Sequence, residues 1–478
     1  LRAFELIEIV KHLGFLIMVM ASGCQTFREQ PVFTAFQEEQ PHTALDTSVF
    51  HKADLNCLRS VKAFYGSHAW SFFWADEALA DSLKEMIRRA GEFGLLPEDY
   101  HLAELEHLSA DTLSTDRISR MDVLLTDAYL SLYLHIETGR LDPVTLDRKD
   151  LSQMHHAEAI ASLENIDNRF VKKQLREREP DAPPYRHLKE ALKAFPSVFE
   201  GDQPMREMAL KIMLNMERWR WQKQWPSRYV LVNIPSYSLR VIEDDSVWLA
   251  SKVIVGKRDT PTPVLESVIR SFIIYPYWHV PQSISTKEIL PALQANGLYL
   301  QRNNFEVLDR RGDVILPDTI QWDLYTEEYF PFVLRQREGS ENSMGIIKFN
   351  FANNYGVYLH DTNSKRLFRS VKRSFSHGCV RVEQAIALAH YLVREDDIYV
   401  SPEDLDQYLS LQQRLKIDLR KPVPVKLEYF TAEVLDGVPV FYEDIYKRDS
   451  VMIQSLFHFP DTTAAGLTML NTGEVKVP

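Results

Sequence analysis

What most constrains this chain is a switch in hydrophobic period at Pro226. Before it, from Leu58 to about Leu214, apolar residues recur at spacings of three and four. Leu79, Leu83, Met86, Ile87 and Ala90 form one such stripe; Leu124, Leu125, Ala128, Leu132 and His135 form a second. That is the period of helices with one buried face. Gly94-Leu95-Leu96-Pro97 and Gly139 are their stop signals. A charged, Pro-containing loop is expected from Arg176 to Pro184, then a helix near Met205 to Trp221. Trp219, Trp221 and Trp225 read as packing anchors rather than a ligand site. After Pro226 short strands take over: Tyr229 to Ile234, Leu239 to Ile242, Lys252 to Val255, Ser271 to Ile274 and Tyr355 to His360, with turn residues between them. A helix follows Val382. The fold class is α+β and multidomain. A mostly helical domain over 57–222 precedes a β-rich domain over 227–400, expected as an antiparallel sandwich or curled sheet. Residues 401–478 are expected as a C-terminal extension packed on the β-rich domain. The mixed segment at about 279–345 is long enough to be a lid over it.

A length of 478 residues with 45% hydrophobic content suffices for more than one core. The net charge of -12 gives nothing to the counterion release that drives nucleic-acid binding, so DNA and RNA partners are excluded from the expectation. The cysteines Cys24, Cys57 and Cys379 show no zinc or redox-pair spacing, and no His-Glu-x-x-His stretch occurs. Neither a metal nor another cofactor is expected. Cys57 reads as a structural thiol. Lys11-His12, the apolar run Leu13 to Met20 and Ala21-Ser22-Gly23-Cys24 form an export-signal pattern over 1–24. The run is shorter than the roughly 20 residues that cross a bilayer. Cys24 follows Ser-Gly as in a lipoprotein cleavage box and is the candidate lipidation site, although Ala21 stands where Leu is usual. Glu5 and Glu8 fit a basic flank poorly, so translation is expected to start at Val10. Residues 25–56, rich in Gln, Thr and Glu, read as a linker.

The chemistry concentrates in Ser376-His377-Gly378-Cys379-Val380-Arg381. In an extended segment alternate residues share a face, which would put His377, Cys379 and Arg381 together. An imidazole beside a thiol can take its proton, and the thiolate is the nucleophile. Gly378 leaves room for a substrate carbonyl, and the following helix would lower the thiol pKa with its N-terminal end. A bare His-x-Cys is more often a buried cysteine beside a surface histidine. The context changes that balance: Tyr358-Leu359-His360-Asp361-Thr362 lies upstream, followed by the basic residues Lys365, Arg366, Arg369, Lys372 and Arg373.

His360-Asp361-Thr362 paired with Ser376-His377-Gly378-Cys379-Val380-Arg381 resembles the L,D-transpeptidase (YkuD) catalytic domain. The wider chain resembles the large periplasmic, YcbB-like branch of that family. The matching pieces include Gly94-Leu95-Leu96-Pro97-Glu98-Asp99-Tyr100, Glu217-Arg218-Trp219-Arg220-Trp221, Pro276-Tyr277-Trp278-His279-Val280-Pro281 and Lys287-Glu288-Ile289-Leu290-Pro291. The chain departs from that branch in one respect. Tyr185 and Leu188 lead directly into Met205 to Trp221, with no space for the usual inserted peptidoglycan-binding domain.

The resemblance implies a Cys-dependent acyltransferase acting on peptidoglycan stem peptides. Cys379 would attack the carbonyl at the L-centre of the third stem residue and release terminal D-Ala. A second stem's amine would resolve the thioester into a 3→3 cross-link. His377 would serve as base and then acid, oriented by the backbone carbonyl of His360. N–H groups near Gly378 and Cys379 would bind the oxyanion. Arg381 would bind a stem carboxylate or brace the site. Ser376, Tyr358 and Trp278 are candidate pocket residues, with core packing the alternative for the last two. The same site could instead trim stems as a carboxypeptidase or attach a protein to the wall, or the chain could be a non-catalytic wall-binding scaffold. The expected setting is the periplasm of a Gram-negative bacterium. The chain would contact the membrane through a lipid on Cys24, and other cell-wall synthesis proteins in a role in cell shape.

Overall fold

The computed structural model describes residues 44–109, 114–166, 170–195, 203–222, 225–394, 400–457 and 475–476. The expected export signal, Val10, Cys24 and most of the expected linker lie outside them. The last part of that linker is no tether. Leu45, Val49, Phe50 and Leu55 are buried in the helical core, around a short helix Val49–Lys52.

That core is organised by helix Thr115–Thr138, whose apolar side chains are buried nearly all round. Its polar residues staple the segments wrapped on it. The Asp122 carboxylate accepts the Trp74 N–H at 2.8 Å and the Tyr65 hydroxyl at 2.5 Å. Asp127 accepts the Cys57 N–H at 2.7 Å and pairs with His101 at 2.8 Å. Cys57 is wholly buried, and burial pushes its thiol up to about 12, which fits a structural thiol. Helix Glu77–Arg88 is capped by Asp76, whose side chain accepts from Ala78 and Leu79 N–H.

Helix Gln203–Arg220 joins the two halves. Glu217 accepts from the N–H groups of Arg140 and Leu141 at 2.6 and 2.8 Å, in the turn that follows Gly139. Arg218 pairs with the buried Asp449 at 2.6 Å. Trp219 stacks on Phe430 with ring centroids 4.7 Å apart, and Arg220 pairs with Glu217 and donates to the Tyr185 hydroxyl. The Glu-Arg-Trp-Arg segment is therefore a junction built from packing and paired charge.

The β-rich half begins with β1 (Arg228–Asn233), β2 (Ser238–Glu243), β3 (Ser246–Gly256) and β4 (Leu265–Ile274). The lid segment adds β5 (Trp278–His279), β6 (Phe305–Leu308), β7 (Val314–Ile315) and β8 (Val333–Gln336), which form a separate sheet ordered β5-β8-β6-β7. Then come β9 (Ile347–Phe351), β10 (Leu359–His360), β11 (Ser374–Ser376), β12 (Val380–Val382) and β13 (Leu415–Glu428). The main sheet runs β11-β3-β12-β10-β9-β4-β13-β1-β2, and β2 also pairs with β3, so the pairings return on themselves. This is the curled form expected from the strand pattern, but the sheet is mixed rather than antiparallel, with β1–β13, β10–β12 and β11–β3 parallel.

The C-terminal part is not an extension packed on the outside. β13 lies between β4 and β1, antiparallel to the first and parallel to the second, so the sheet is incomplete without it. A hairpin of β14 (Ala432–Leu435) and β15 (Val438–Phe441) and helix Arg448–Leu456 then pack near the junction helix. The lid has its own core of Val280, Ile289, Leu290, Leu293, Leu300, Val307, Trp322, Phe330 and Leu334. Its sheet and core make it a small folded body rather than a bare loop. Among the described residues no helix is long and apolar enough to cross a membrane.

Candidate active site

Three strand pairings build the site. In β10, Leu359 sits opposite Phe349 of β9 and Val380 of β12; all three are fully buried in the sheet core. The next residue, His360, sits opposite Lys348 and Arg381. Because side chains alternate, Lys348, His360 and Arg381 share the opposite face, with Tyr358 and Cys379 two residues further back on it. That face forms one wall of a cleft of about 870 Å³. Trp278, His279, Ile284, Glu288 and Tyr299 from the lid segment line the other side.

Cys379 is half-buried and unpaired. Burial pushes its thiol above the ordinary range. Contacts from the Tyr358 N–H and hydroxyl, and the cations Lys348 and Arg381, offset part of that. Trp278 also lines the cleft and bears on Tyr358 rather than on the thiol itself. His360 is buried, and burial together with Arg381 pushes its ring down to about 3, leaving it neutral. The carbonyls of Asp361 and Met344 lie beside the ring and oppose that shift.

The segment around the thiol departs from its expected geometry at three points. Gly378 has φ +112°, a region L side chains avoid, so the strand alternation breaks between His377 and Cys379. His377 still lines the same cleft as Cys379. Its ring is exposed, and its Nε2 lies 2.7 Å from Glu288 Oε1 of the lid. Regular strand alternation therefore does not run through Gly378, and His377, Cys379 and Arg381 nonetheless all line the cleft. Secondly, the Ser376 hydroxyl is not offered to a ligand. It accepts the Gly378 N–H at 3.1 Å and donates to the Cys379 carbonyl at 2.5 Å, so Ser376 shapes the turn. Thirdly, helix Ala385–Arg394 begins only after β12, so its N-terminus is a strand's length from the thiol.

The turn is held from behind. Thr262 Oγ1 donates to the Gly378 carbonyl at 2.8 Å, and Lys257 N–H to the Ser376 carbonyl at 2.9 Å. Most of the basic stretch after Thr362 has structural partners. Lys365 pairs with Asp361, Arg373 donates to the carbonyls of Val253, Ser370 and Tyr237, and Lys372 pairs with Glu443. Two cleft residues, Lys348 and Glu288, had no assigned role in the sequence reading. The alternation Ile347-Lys348-Phe349 signals that Lys348 faces away from the core, but only the register shows what lies on that face.

Residues 227–400 match the L,D-transpeptidase catalytic domain family (YkuD), and residues 59–192 match the Scaffold domain family. The chain thus has the YcbB-type architecture of L,D-transpeptidases, a catalytic domain behind an N-terminal scaffold domain. A curated L,D-transpeptidase-type protein of Haemophilus influenzae (strain Rd) is 33% identical over 239 residues, 50% of this chain and 48% of that protein. The match spans about half the length of that relative. Solved structures also match. The ertapenem-acylated catalytic domain of the Enterococcus faecium L,D-transpeptidase is 12% identical, with TM-score 0.20 over 43% of this chain and 99% of that one. The Mycobacterium smegmatis L,D-transpeptidase is 13% identical, with TM-score 0.19 over 42% of this chain and 58% of that one. Overlap that low carries no geometric inference.

Proposed function

We propose that this protein forms 3→3 cross-links between peptidoglycan stem peptides through a thioester on Cys379. The observation that carries the reading is the Cys379 thiol in a lidded cleft that His360 and His377 also line, within the region matching the L,D-transpeptidase catalytic domain. The thiol attacks the carbonyl at the L-centre of the third stem residue and its proton passes to His360. The C–N bond breaks, the proton goes to the departing amine of D-Ala, and the acyl group stays on Sγ. The side-chain amine of a second stem then attacks the thioester and returns the thiol. His360 takes the base role first expected of His377, because its ring lies on the face of the thiol while His377 is engaged by Glu288. The Cys379 N–H is the oxyanion donor, since that of Gly378 is already spent on Ser376.

The sequence pattern at 1–24 supports export to the periplasm of a Gram-negative cell, with a lipid on Cys24 as membrane anchor. Anchoring there would hold the chain near the wall in place of the missing wall-binding insert and bring it beside other wall-synthesis proteins. Cys24→Ala should move the protein from the membrane to the soluble fraction; unchanged fractionation refutes the anchor.

The function is tested by muropeptide mass spectrometry in a host lacking such enzymes, comparing wild type with Cys379→Ala. New 3→3 dimers from wild type alone are expected. Tripeptides without dimers would make the enzyme a carboxypeptidase, and no Cys379-dependent change would overturn the catalytic reading.

A further inference from the structure

We propose that Lys348 and Arg381 form a carboxylate site beside Cys379, one that takes the free C-terminal carboxylate of the residue expelled from the donor peptide. This rests on the stem-peptide reading above and adds which group of the donor is recognised.

Both cations flank the same residue. His360 pairs with Lys348 across β9 and with Arg381 across β12, which sets a cation on each side of the imidazole, on the face of the thiol. Both line the cleft and both are half-buried. Among the described residues neither meets a carboxylate. Lys348 Nζ lies 4.1 Å from the centre of the Tyr358 ring, and Arg381 Nε is buried without a hydrogen-bond partner. The buried arginines elsewhere among the described residues are all paired, Arg140 with Asp99, Arg218 with Asp449 and Arg220 with Glu217. Holding two half-buried cations without a carboxylate partner is costly unless an anion arrives to offset it. The surrounding field has the same sign. His279, also on the cleft, is held down by burial and by the charges of Arg335, Lys348 and Arg414. The lid carboxylate nearest the thiol loop, Glu288, is engaged by His377.

Both cations act on the Cys379 thiol, so they border the bond to be broken. The terminal carboxylate of the residue that follows the attacked carbonyl is one residue away, roughly 3.8 Å of chain.

Both cations also act on the thiol, so stabilising the thiolate is the competing role. Binding to the full-length Cys379→Ala protein separates the two, because no thiolate is present. Calorimetry with a tetrapeptide stem and with its C-terminal carboxamide should show the acid bound about ten- to hundredfold tighter. Lys348→Gln and Arg381→Gln should each lose most of that preference and leave the amide unchanged, while Lys348→Arg and Arg381→Lys retain it. Equal binding of acid and amide, or equal weakening of both by the glutamine variants, overturns the site. If neither peptide binds at all, the stem-peptide reading fails and takes the carboxylate site with it.

Discussion

Cys379 and His360 are tuned by burial more than by charge. For the thiol, burial outweighs the combined pull of Tyr358, Lys348 and Arg381, and its pKa moves up rather than down. Thiol and imidazole are thus both neutral at rest, and in the proposed mechanism the proton moves only as the bond to substrate forms. A raised thiol pKa means less thiolate at neutral pH. The rate of Cys379 alkylation by iodoacetamide, followed by peptide mass spectrometry, should keep rising past the ordinary thiol value of about 8.5. An inflection at or below that value would show a preformed thiolate. Cys57, pushed up to about 12 and buried, should stay unmodified in the folded protein. The two histidines should separate in single-turnover acylation. His360→Asn is expected to lose about 10²- to 10⁴-fold, the usual contribution of a general base, and His377→Asn much less. The reverse order would restore His377 as the base.

At the scale of elements, the lid is positioned by a local irregularity. Its helical stretch runs from Gln282 to Ala295 with a π-turn at Ser285–Ile289. Pro291 has no N–H to give to the carbonyl of Lys287, and the wider turn accommodates that loss. Glu288 lies in this turn and meets His377. Both partners are substantially exposed, so the pair adds little stability, about 0–1 kcal/mol. Glu288→Gln should leave the melting temperature nearly unchanged. Leu334→Ala, at a fully buried position of the lid core, should cost about 2–5 kcal/mol, seen as faster hydrogen exchange across the lid strands. If Glu288→Gln alone opens the lid to exchange, the pair rather than the core holds it. Strand β13 carries its own test. Glu428, buried near Lys426 and Glu266, is pushed up to about 8 by burial. Above an unfolded value of about 4.3 the unfolded chain releases this proton while the folded one keeps it, so stability falls as pH rises from about 5 to 8. Glu428→Gln should therefore melt progressively higher than wild type across that window and match it near pH 5. A gap independent of pH would refute this.

For the whole molecule, the decisive feature is how the C-terminal part enters the sheet. The matched catalytic family ends at residue 400, yet β13 supplies the strand between β4 and β1. A chain ending at Val400 should lose cooperative unfolding in calorimetry, because both strand edges and their apolar faces would be exposed. A folded, soluble product would refute this. The junction makes a parallel prediction. Arg218→Met leaves Asp449 buried without its partner and should cost about 3–5 kcal/mol by denaturant unfolding. Loss of under 1 kcal/mol would mean the halves are held by packing alone, through contacts such as Trp219 on Phe430.

Much of this was legible in the sequence because it is set locally. Period three-to-four predicts helices Glu77–Arg88, Thr115–Thr138 and Gln203–Arg220, and period two predicts β1, β2 and the paired half of β3. Both periods follow from the geometry of a single element. The thiol, too, was marked by its neighbours in the chain. The placement of His360 relative to His377 was not, because Gly378 at positive φ breaks the strand alternation and His360 comes from a strand of another segment. Nor did sequence separation reveal that Lys348 and Arg381 flank one imidazole, or that β13 closes the sheet. Local chain chemistry determined the elements and the reactive atom. Register and strand order, which depend on pairing between distant segments, decided what surrounds that atom.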